Sequence, residues 1–154
     1  MIKIMFVCHG NICRSPMAEF MLKDLVKKDG KESEFLIESS ATSFEEQGNP
    51  IHRGTRAVLD RLGIKYNNRR AVRLSKDDYL KFDYFIGMDD ANKYNMLRIF
   101  GGDPDGKISL LLDYTGEYRD VADPYWTGNF NETENDILNG VKEFYEYIKA
   151  KKSK

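Results

Sequence analysis

The sequence lacks the features that would place it in a membrane or in an oxidising compartment. Only two cysteines are present, Cys8 and Cys13, so a scaffold of structural disulfides is excluded. No apolar run approaches the roughly 20 residues of a transmembrane helix, and the first residues do not form the basic, apolar and small-residue regions of a signal peptide. We therefore expect a cytoplasmic protein that does not bind membranes.

An excess of charge of one sign is also absent. Lys and Arg number 24 against 25 Asp and Glu, which gives a formal net charge of -1. This balance, without long blocks of one sign, does not predict a surface for nucleic acid. The chain shows no linker or internal repeat, and 154 residues suffice for one buried core. We predict a single domain over residues 1–154 that is a monomer or associates weakly.

Apolar runs that alternate with helical patterns predict an α/β fold. Buried strands are expected at 2–7, 34–40, 82–88 and 108–114. The first helix is expected to start at Pro16 with Ser15 as its cap, and the last from Asn131 with Glu134 in a capping box. The alternation predicts a four-stranded parallel open sheet with helices on both faces, whose ligands bind beyond the carboxyl ends of the strands.

The segment CHGNICRSP, residues 8–16, joins the first strand to the first helix. It is long enough to curl so that backbone N–H groups point at one tetrahedral anion, with Gly10 free to take a positive φ. The helix N-terminus adds the positive end of its dipole, and the Arg14 guanidinium can bind two phosphate oxygens. The sequence therefore predicts a loop that binds phosphate, sulfate or similar anions. Its residues are His9, Gly10, Asn11, Ile12, Cys13 and Arg14.

The same field acts on Cys8, because a helix N-terminus and a nearby guanidinium favour the thiolate form of a cysteine. Cys8 is thus a candidate nucleophile aimed at the bound phosphorus. A Ser15 hydroxyl bonded to the sulfur would stabilise the thiolate further. Asn11, in the middle of the loop, is expected to bond neighbouring polar groups and to hold the turn.

Other interpretations of the cysteines are weaker. A cysteine at the end of a buried strand is usually an inert apolar residue, but the Gly, Arg, Ser and Pro beside Cys8 argue against that. A zinc site from Cys8, His9 and Cys13 lacks a second Cys/His pair, since the only other histidine is His52. The GxGxxG and GxxxxGK[ST] nucleotide motifs do not occur. We predict no metal and no cofactor.

The motif VCHGNICRSP on a strand-to-helix turn, with VADPYW at 121–126, closely resembles the low-molecular-weight protein tyrosine phosphatases. The resemblance covers essentially the whole chain and includes ESSATS at 38–43, GNP at 48–50 and FDY…MD at 82–89. It implies hydrolysis of phosphotyrosine and aryl phosphates in protein substrates, without a metal, through a phosphocysteine. Cys8 would be the nucleophile, Arg14 the phosphate clamp and Asp123 the general acid.

Physical reasoning agrees with Asp123 as the acid. The leaving phenolate needs a proton donor, and neither histidine is well placed: His9 belongs to the loop, where its side chain should point outward, and His52 opens a helix. An aspartate before a proline lies in an extended, loop-held conformation.

The resemblance also implies supporting roles for other residues of the loop and its surroundings. Asn11, Ser15 and Ser39 would form a hydrogen-bonded frame beneath the loop. Cys13 would form a reversible disulfide with Cys8 that protects the nucleophile from irreversible oxidation.

The substrate slot agrees with the family on one side and departs from it on the other. Tyr125 and Trp126 fall on the family's paired aromatic positions beside the acid. Glu45 stands where many relatives carry a tryptophan or tyrosine, with Phe44 next to it. Either Phe44 forms the wall instead or the slot is more open and acidic, so we take Phe44, Glu45 and Glu46 as specificity residues.

Three other functions are alternatives to phosphotyrosine hydrolysis. Relatives that act on phosphoarginine have a threonine at the position of Ile12, so Ile12 favours phosphotyrosine. A non-enzymatic phosphate-binding or thiol-redox module would use Cys8 and Cys13 but has no need of a general acid. Arsenate reductases on this fold need further cysteines downstream, and none follows Cys13.

Overall fold

The computed structural model describes residues 1–152. Within them the strands are β1 (Ile2–Cys8), β2 (Phe35–Ala41), β3 (Tyr84–Gly87) and β4 (Ile108–Leu110). The strands form one parallel sheet in the order β2-β1-β3-β4, which confirms the predicted fold. The helices are α1 (Arg14–Lys28), α2 (Arg53–Arg61), α3 (Asp90–Phe100), α4 (Pro124–Thr127) and α5 (Phe130–Lys152), with 3-10 turns at Glu32–Glu34, Lys76–Leu80 and Leu111–Thr115.

Alternating residues of β1 divide the core between the two faces of the sheet. Ile4 and Phe6 belong to the cluster with α1 and α5, where the rings of Phe6 and Phe144 meet edge to face with centroids 6.3 Å apart. Met5 and Val7 belong to a second cluster on the opposite face, which includes residues of α3. Burial on both faces explains why this strand is an unbroken apolar run in the sequence.

The strand order reverses between β1 and β3, because the chain leaves β1 through α1 towards β2 and leaves β3 through α3 towards β4. In an open α/β sheet, ligands bind in the crevice at such a reversal, beyond the carboxyl ends of the strands. The loops that follow Cys8 and Gly87 therefore meet at the expected site. No helix within residues 1–152 is long and apolar enough to cross a membrane.

The start of α1 differs from the sequence prediction. The helix begins at Arg14, and Cys13 precedes it without any side-chain cap. The prediction that Ser15 caps a helix starting at Pro16 is therefore wrong. Because Ser15 lies inside the first turn, its hydroxyl lies 3.0 Å from the Cys8 sulfur instead of closing the helix end.

The predicted strand at 108–114 is too long, because a short apolar run does not distinguish a strand from a buried turn. β4 ends at Leu110, and the next residues form a 3-10 turn that packs against α5.

The start of α5 also differs from the prediction. Asn129 Oδ1 accepts a hydrogen bond from Glu132 N at 3.1 Å at this end of the helix. The capping box expected at Glu134 is wrong, since the Glu134 carboxylate instead pairs with Arg61 of α2.

A tight contact between α5 and the turn gives a stability prediction. A Cβ added to Gly140 would lie 2.4 Å from Leu111 Cγ, a distance at which the packing must shift. We expect Gly140→Ala to lower the free energy of unfolding by about 1–3 kcal/mol, because overpacking outweighs the gain in helix propensity. Urea denaturation measures this, with exposed Asn139→Ala on the same helix as the control. Equal or higher stability of Gly140→Ala would show that the contact is not tight.

Candidate active site

A cavity of about 570 Å³ opens where the loops after β1 and β3 meet. Buried Cys8 and Arg14 line it together with the exposed side chains of Glu45, Tyr125 and Trp126. Asp123 also lines the cavity, although more than a hundred positions separate it from the loop. The structure thus brings together the nucleophile, clamp and acid that the sequence analysis selected.

The sulfur of Cys8 is surrounded by hydrogen-bond donors. The backbone N–H groups of Asn11 and Ser15 approach it at 3.3 and 3.4 Å, and Ser15 Oγ lies 3.0 Å away. Because Asn11 Nδ2 donates to Ser15 Oγ at 2.8 Å, the Ser15 hydroxyl hydrogen is left to donate to the sulfur. Three donors therefore converge on one sulfur.

Asn11 holds the loop in its curled form. It adopts a positive φ of 59°, whereas Gly10 does not. The prediction that Gly10 supplies the positive φ is therefore wrong, and Asn is one of the few other residues that tolerate this region. A Cβ on Gly10 would lie 3.2 Å from Glu46 Cγ, so the Glu46 side chain would have to shift by a few tenths of an ångström.

A buried hydrogen-bonded frame continues behind the loop. Asn11 Nδ2 donates to Ser39 Oγ at 2.9 Å, and the Ser39 hydroxyl donates to Glu19 Oε1 at 2.5 Å. The other Glu19 oxygen accepts from Lys23 Nζ at 2.6 Å. Asn11, Ser15 and Ser39 therefore lie in one network, which Glu19 terminates on the side of α1.

Arg69 completes this frame and was missed by the sequence analysis. Its Nη1 donates to the backbone oxygen of Asn11 at 2.9 Å, and its Nη2 donates to Asn11 Oδ1. Val72 N donates to the same Oδ1 at 3.2 Å. The guanidinium thus holds both the main chain and the side chain of the residue with positive φ. No local pattern in the sequence pointed to Arg69, which lies in an irregular segment 58 positions away.

Arg14 is buried and held by groups from two other loops. Its Nη1 donates to Asp89 Oδ2 at 2.8 Å and to Val121 O at 2.9 Å, and its Nη2 lies 3.4 Å from Asp123 Oδ2. Burial opposes its charge, but the charges of Cys8, Asp89 and Asp123 outweigh burial and raise the pKa of Arg14. Arg14 therefore remains a fixed cation beside the sulfur. The MD motif of the sequence contains Asp89 but does not predict this role.

Asp123 stands at the start of the short helix α4. Its Oδ1 accepts from Tyr125 N at 3.1 Å, and the following proline occupies the first turn. Its Oδ2 faces Arg14. The Asp-Pro pair thus fixes the carboxyl group at the edge of the cavity.

Cys13 differs from Cys8 in its surroundings. Both are free thiols and both are buried. Burial, followed by the charges of Cys8 and Asp123, raises the pKa of Cys13 to about 12. Cys13 is therefore a thiol at neutral pH and does not compete as a nucleophile.

The rim of the cavity agrees only in part with the predicted slot. Tyr125 and Trp126 line it and contact each other edge to face at 5.2 Å. Phe44 does not line it: its ring packs beneath the Arg73 guanidinium at 4.9 Å. Phe44 therefore lies outside the cavity lining in this structure, and its part in the slot stays a prediction.

Two carboxylates, Glu45 and Glu46, line the cavity on the side where an aromatic wall was considered. Glu45 Oε2 lies 2.9 Å from His9 Nε2, with His9 pointing outward, and Glu46 lines the cavity beside it. The slot is open and acidic on this side. Across residues 1–152, no group of three or more His, Cys, Asp or Glu side chains is arranged to hold a metal ion.

Comparison with known proteins identifies the family. The sequence matches the low molecular weight phosphotyrosine protein phosphatases over residues 3–154. The low molecular weight protein-tyrosine-phosphatase YfkJ of Bacillus subtilis is 40% identical over 99% of both chains. The crystal structure of YfkJ superposes with a TM-score of 0.95 and covers 99% of this chain and 97% of that one.

Two further solved structures are similar over nearly their whole length. SP-PTP, a low molecular weight protein tyrosine phosphatase from Streptococcus pyogenes, is 40% identical with a TM-score of 0.85, covering 96% of this chain and 93% of that one. DARP, a Drosophila arginine phosphatase, is 31% identical with a TM-score of 0.86, covering 96% and 98%. Because the family match extends over nearly the whole chain, this protein belongs to the low molecular weight protein tyrosine phosphatases.

Proposed function

We propose that this protein hydrolyses phosphotyrosine in protein substrates through a phosphocysteine intermediate, without a metal ion. The observation that carries the proposal is the Cys8 sulfur, which lies among three hydrogen-bond donors in the cavity that buried Arg14 also lines. Such a loop places a nucleophile and a dianion site together.

The first step transfers the phosphoryl group to sulfur. The Cys8 thiolate attacks phosphorus, the S–P bond forms and the bond to the phenolic oxygen breaks. Arg14 and the loop N–H groups hold the phosphate oxygens, where they stabilise the charge of the transition state. Asp123 gives its proton to the departing phenolate, and its carboxylate is left at the edge of the cavity.

The second step restores the enzyme. The Asp123 carboxylate takes a proton from water as the water oxygen attacks phosphorus and the P–S bond breaks. The departing thiolate receives the Ser15 hydroxyl hydrogen bond, the donor 3.0 Å from the sulfur in the free enzyme. Inorganic phosphate then leaves the loop. We also assign Cys13 the role of a redox partner that protects Cys8 in a reversible disulfide.

The identity of the phosphoryl donor separates two candidate functions. The similarity to an arginine phosphatase favours phosphoarginine as the second candidate. Ile12 lines the cavity at the position where phosphoarginine-directed relatives carry threonine, and Tyr125 and Trp126 offer ring faces to a phenyl group. These residues favour phosphotyrosine.

Two peptides of the same sequence, one with phosphotyrosine and one with phosphoarginine, test this assignment. We expect kcat/KM to be at least about tenfold higher for the phosphotyrosine peptide, a difference of about 1.4 kcal/mol that one well-matched aromatic contact supplies. Phosphate release in a buffer with a chelator measures it. Faster cleavage of the phosphoarginine peptide would reverse the assignment and show that Ile12 does not decide it.

We also propose the compartment, the substrates and the oligomeric state in which the enzyme acts. Two free cysteines suit the reducing cytoplasm. The substrates are phosphotyrosine proteins, phosphate or sulfate occupies the loop in their absence, and the enzyme acts as a monomer or a weakly associating chain.

A further inference from the structure

We propose that Arg119 and Asp136 form a positioning pair that holds the general acid Asp123 at the leaving-group oxygen. This inference rests on the proposed function, in which Asp123 is the acid. Neither Arg119 nor Asp136 lines the cavity, so both act through the segment that leads to Asp123.

The pair is a bidentate ion pair between an irregular segment and α5. Arg119 Nη1 donates to Asp136 Oδ2 at 2.9 Å, and Nη2 donates to Oδ1 at 2.7 Å. The Asp136 side chain is 10% exposed and the Arg119 side chain 46% exposed, so α5 fixes the carboxylate while the guanidinium lies at the surface. The hydrogen bond to Asp136, with the charges of Asp136 and Glu117, raises the pKa of Arg119 although burial opposes it. Two parallel N–H···O bonds fix direction as well as distance, which a lysine does not do.

A second contact with α5 lies next to the acid. Thr133 Oγ1 donates to Ala122 O at 2.9 Å. The same helix therefore holds the segment at residue 119 and again at residue 122, directly before Asp123. Removal of Arg119 would take away the first of these two ties and leave the segment bonded to α5 through Ala122 O.

The opposite side of the segment is tied to the end of β3 and the start of α3. Asp120 Oδ1 accepts from Asp90 N at 3.0 Å, and Val121 N donates to Met88 O at 2.8 Å. Val121 O accepts from Arg14 at 2.9 Å. Every residue from 119 to 122 thus has a partner outside the segment, and the chain is held between α5 and the phosphate loop.

The segment needs such support because its local conformation is unfavourable. Tyr118, directly before Arg119, has a positive φ of 51°, a region that bulky side chains rarely adopt. Tyr118 is also 77% exposed, so packing does not hold it. The ion pair at the next residue is the first of the contacts that hold the chain after this turn.

A misplaced acid makes the rate depend more steeply on the leaving group, whereas a general loss of structure slows all substrates alike. The proton from Asp123 matters for a phenolate that leaves poorly and matters little for one that leaves readily without a proton. Loss of the pair should therefore slow phenyl phosphate much more than p-nitrophenyl phosphate. The attack by Cys8 and the phosphate contacts of Arg14 serve both substrates equally.

The experiment compares kcat/KM of Arg119→Met and Asp136→Asn on these two substrates. This parameter reports the step in which the phenol departs. We expect kcat/KM for phenyl phosphate to fall tenfold or more and that for p-nitrophenyl phosphate to fall less than threefold. Arg119→Lys should fall between wild type and Arg119→Met, and the charge-swapped double variant Arg119→Asp/Asp136→Arg should recover part of the loss.

A matched control exists on the same helix. Arg61 of α2 pairs with Glu134 of α5, so this ion pair joins two helices and not α5 to the segment before Asp123. Arg61→Met should change kcat/KM of both substrates by the same factor.

Equal losses on both substrates in Arg119→Met, or no loss on either, would overturn the positioning role. Wild-type turnover of both substrates is measured first, and an inactive wild type would overturn the proposed function along with this inference. An active wild type with no leaving-group dependence in the variants would overturn this inference alone.

Discussion

Cys8→Ser is expected to lower kcat/KM for aryl phosphates by about a hundredfold or more, because a serine hydroxyl does not ionise at neutral pH. Neighbouring donors that favour a thiolate, including the backbone N–H groups at 3.3 and 3.4 Å, cannot make an alcohol comparably nucleophilic. The other thiol of the cavity offers no substitute, since burial raises the pKa of Cys13 to about 12. Phosphate release measured without added metal checks the result.

The variant should keep the phosphate site while losing the chemistry. Serine has the same shape as cysteine, and Arg14 keeps its bonds to Asp89 and Val121. Calorimetric titration with inorganic phosphate should therefore still show binding, which separates a lost nucleophile from a lost loop. Undiminished turnover in Cys8→Ser would end the proposal of a phosphocysteine. Release of less than one phosphate per wild-type molecule in a single-turnover assay would instead support a phosphate-binding or redox module.

The phosphate loop could be predicted because its parts are contiguous. Cys8, Gly10, Arg14 and the helix start lie within one short segment, and the strand before them is an unbroken apolar run. Their chemistry follows from spacing and from the dipole of the next helix. Local order does not specify which residue takes the positive φ, and here Asn11 takes it because Arg69 and Val72 hold its side chain.

The supports of the loop could not be predicted because they come from distant segments. Arg69 lies 58 positions from Asn11, and Asp89 lies 75 positions from Arg14. Glu19 did carry a signal that the sequence analysis did not use. It is a charged residue among buried neighbours on α1, and a buried carboxylate requires partners. The contact between the Phe44 ring and the Arg73 guanidinium, 4.9 Å apart, likewise joins residues that are distant in the sequence.

Asp123→Asn is expected to reduce kcat/KM for phenyl phosphate by about 10²–10⁴-fold, the usual contribution of a general acid. The loss for p-nitrophenyl phosphate should be much smaller, because its phenolate leaves without a proton. Asparagine keeps the oxygen that accepts from Tyr125 N at 3.1 Å, so the start of α4 stays intact. The change removes the transferable proton and also the carboxylate charge that faces Arg14 Nη2 at 3.4 Å.

Asp120→Asn is the matched control for this substitution. It lies in the same segment, and its amide oxygen can still accept the bond from Asp90 N at 3.0 Å. We expect its kcat/KM to stay within about twofold of wild type on both substrates. A Brønsted series of aryl phosphates distinguishes the outcomes: a steeper dependence on the leaving group in Asp123→Asn identifies the acid, whereas an equal loss along the series would remove Asp123 from that role. Because the Arg119→Met variant should show the same dependence at smaller amplitude, the two series together separate the proton donor from the contacts that aim it.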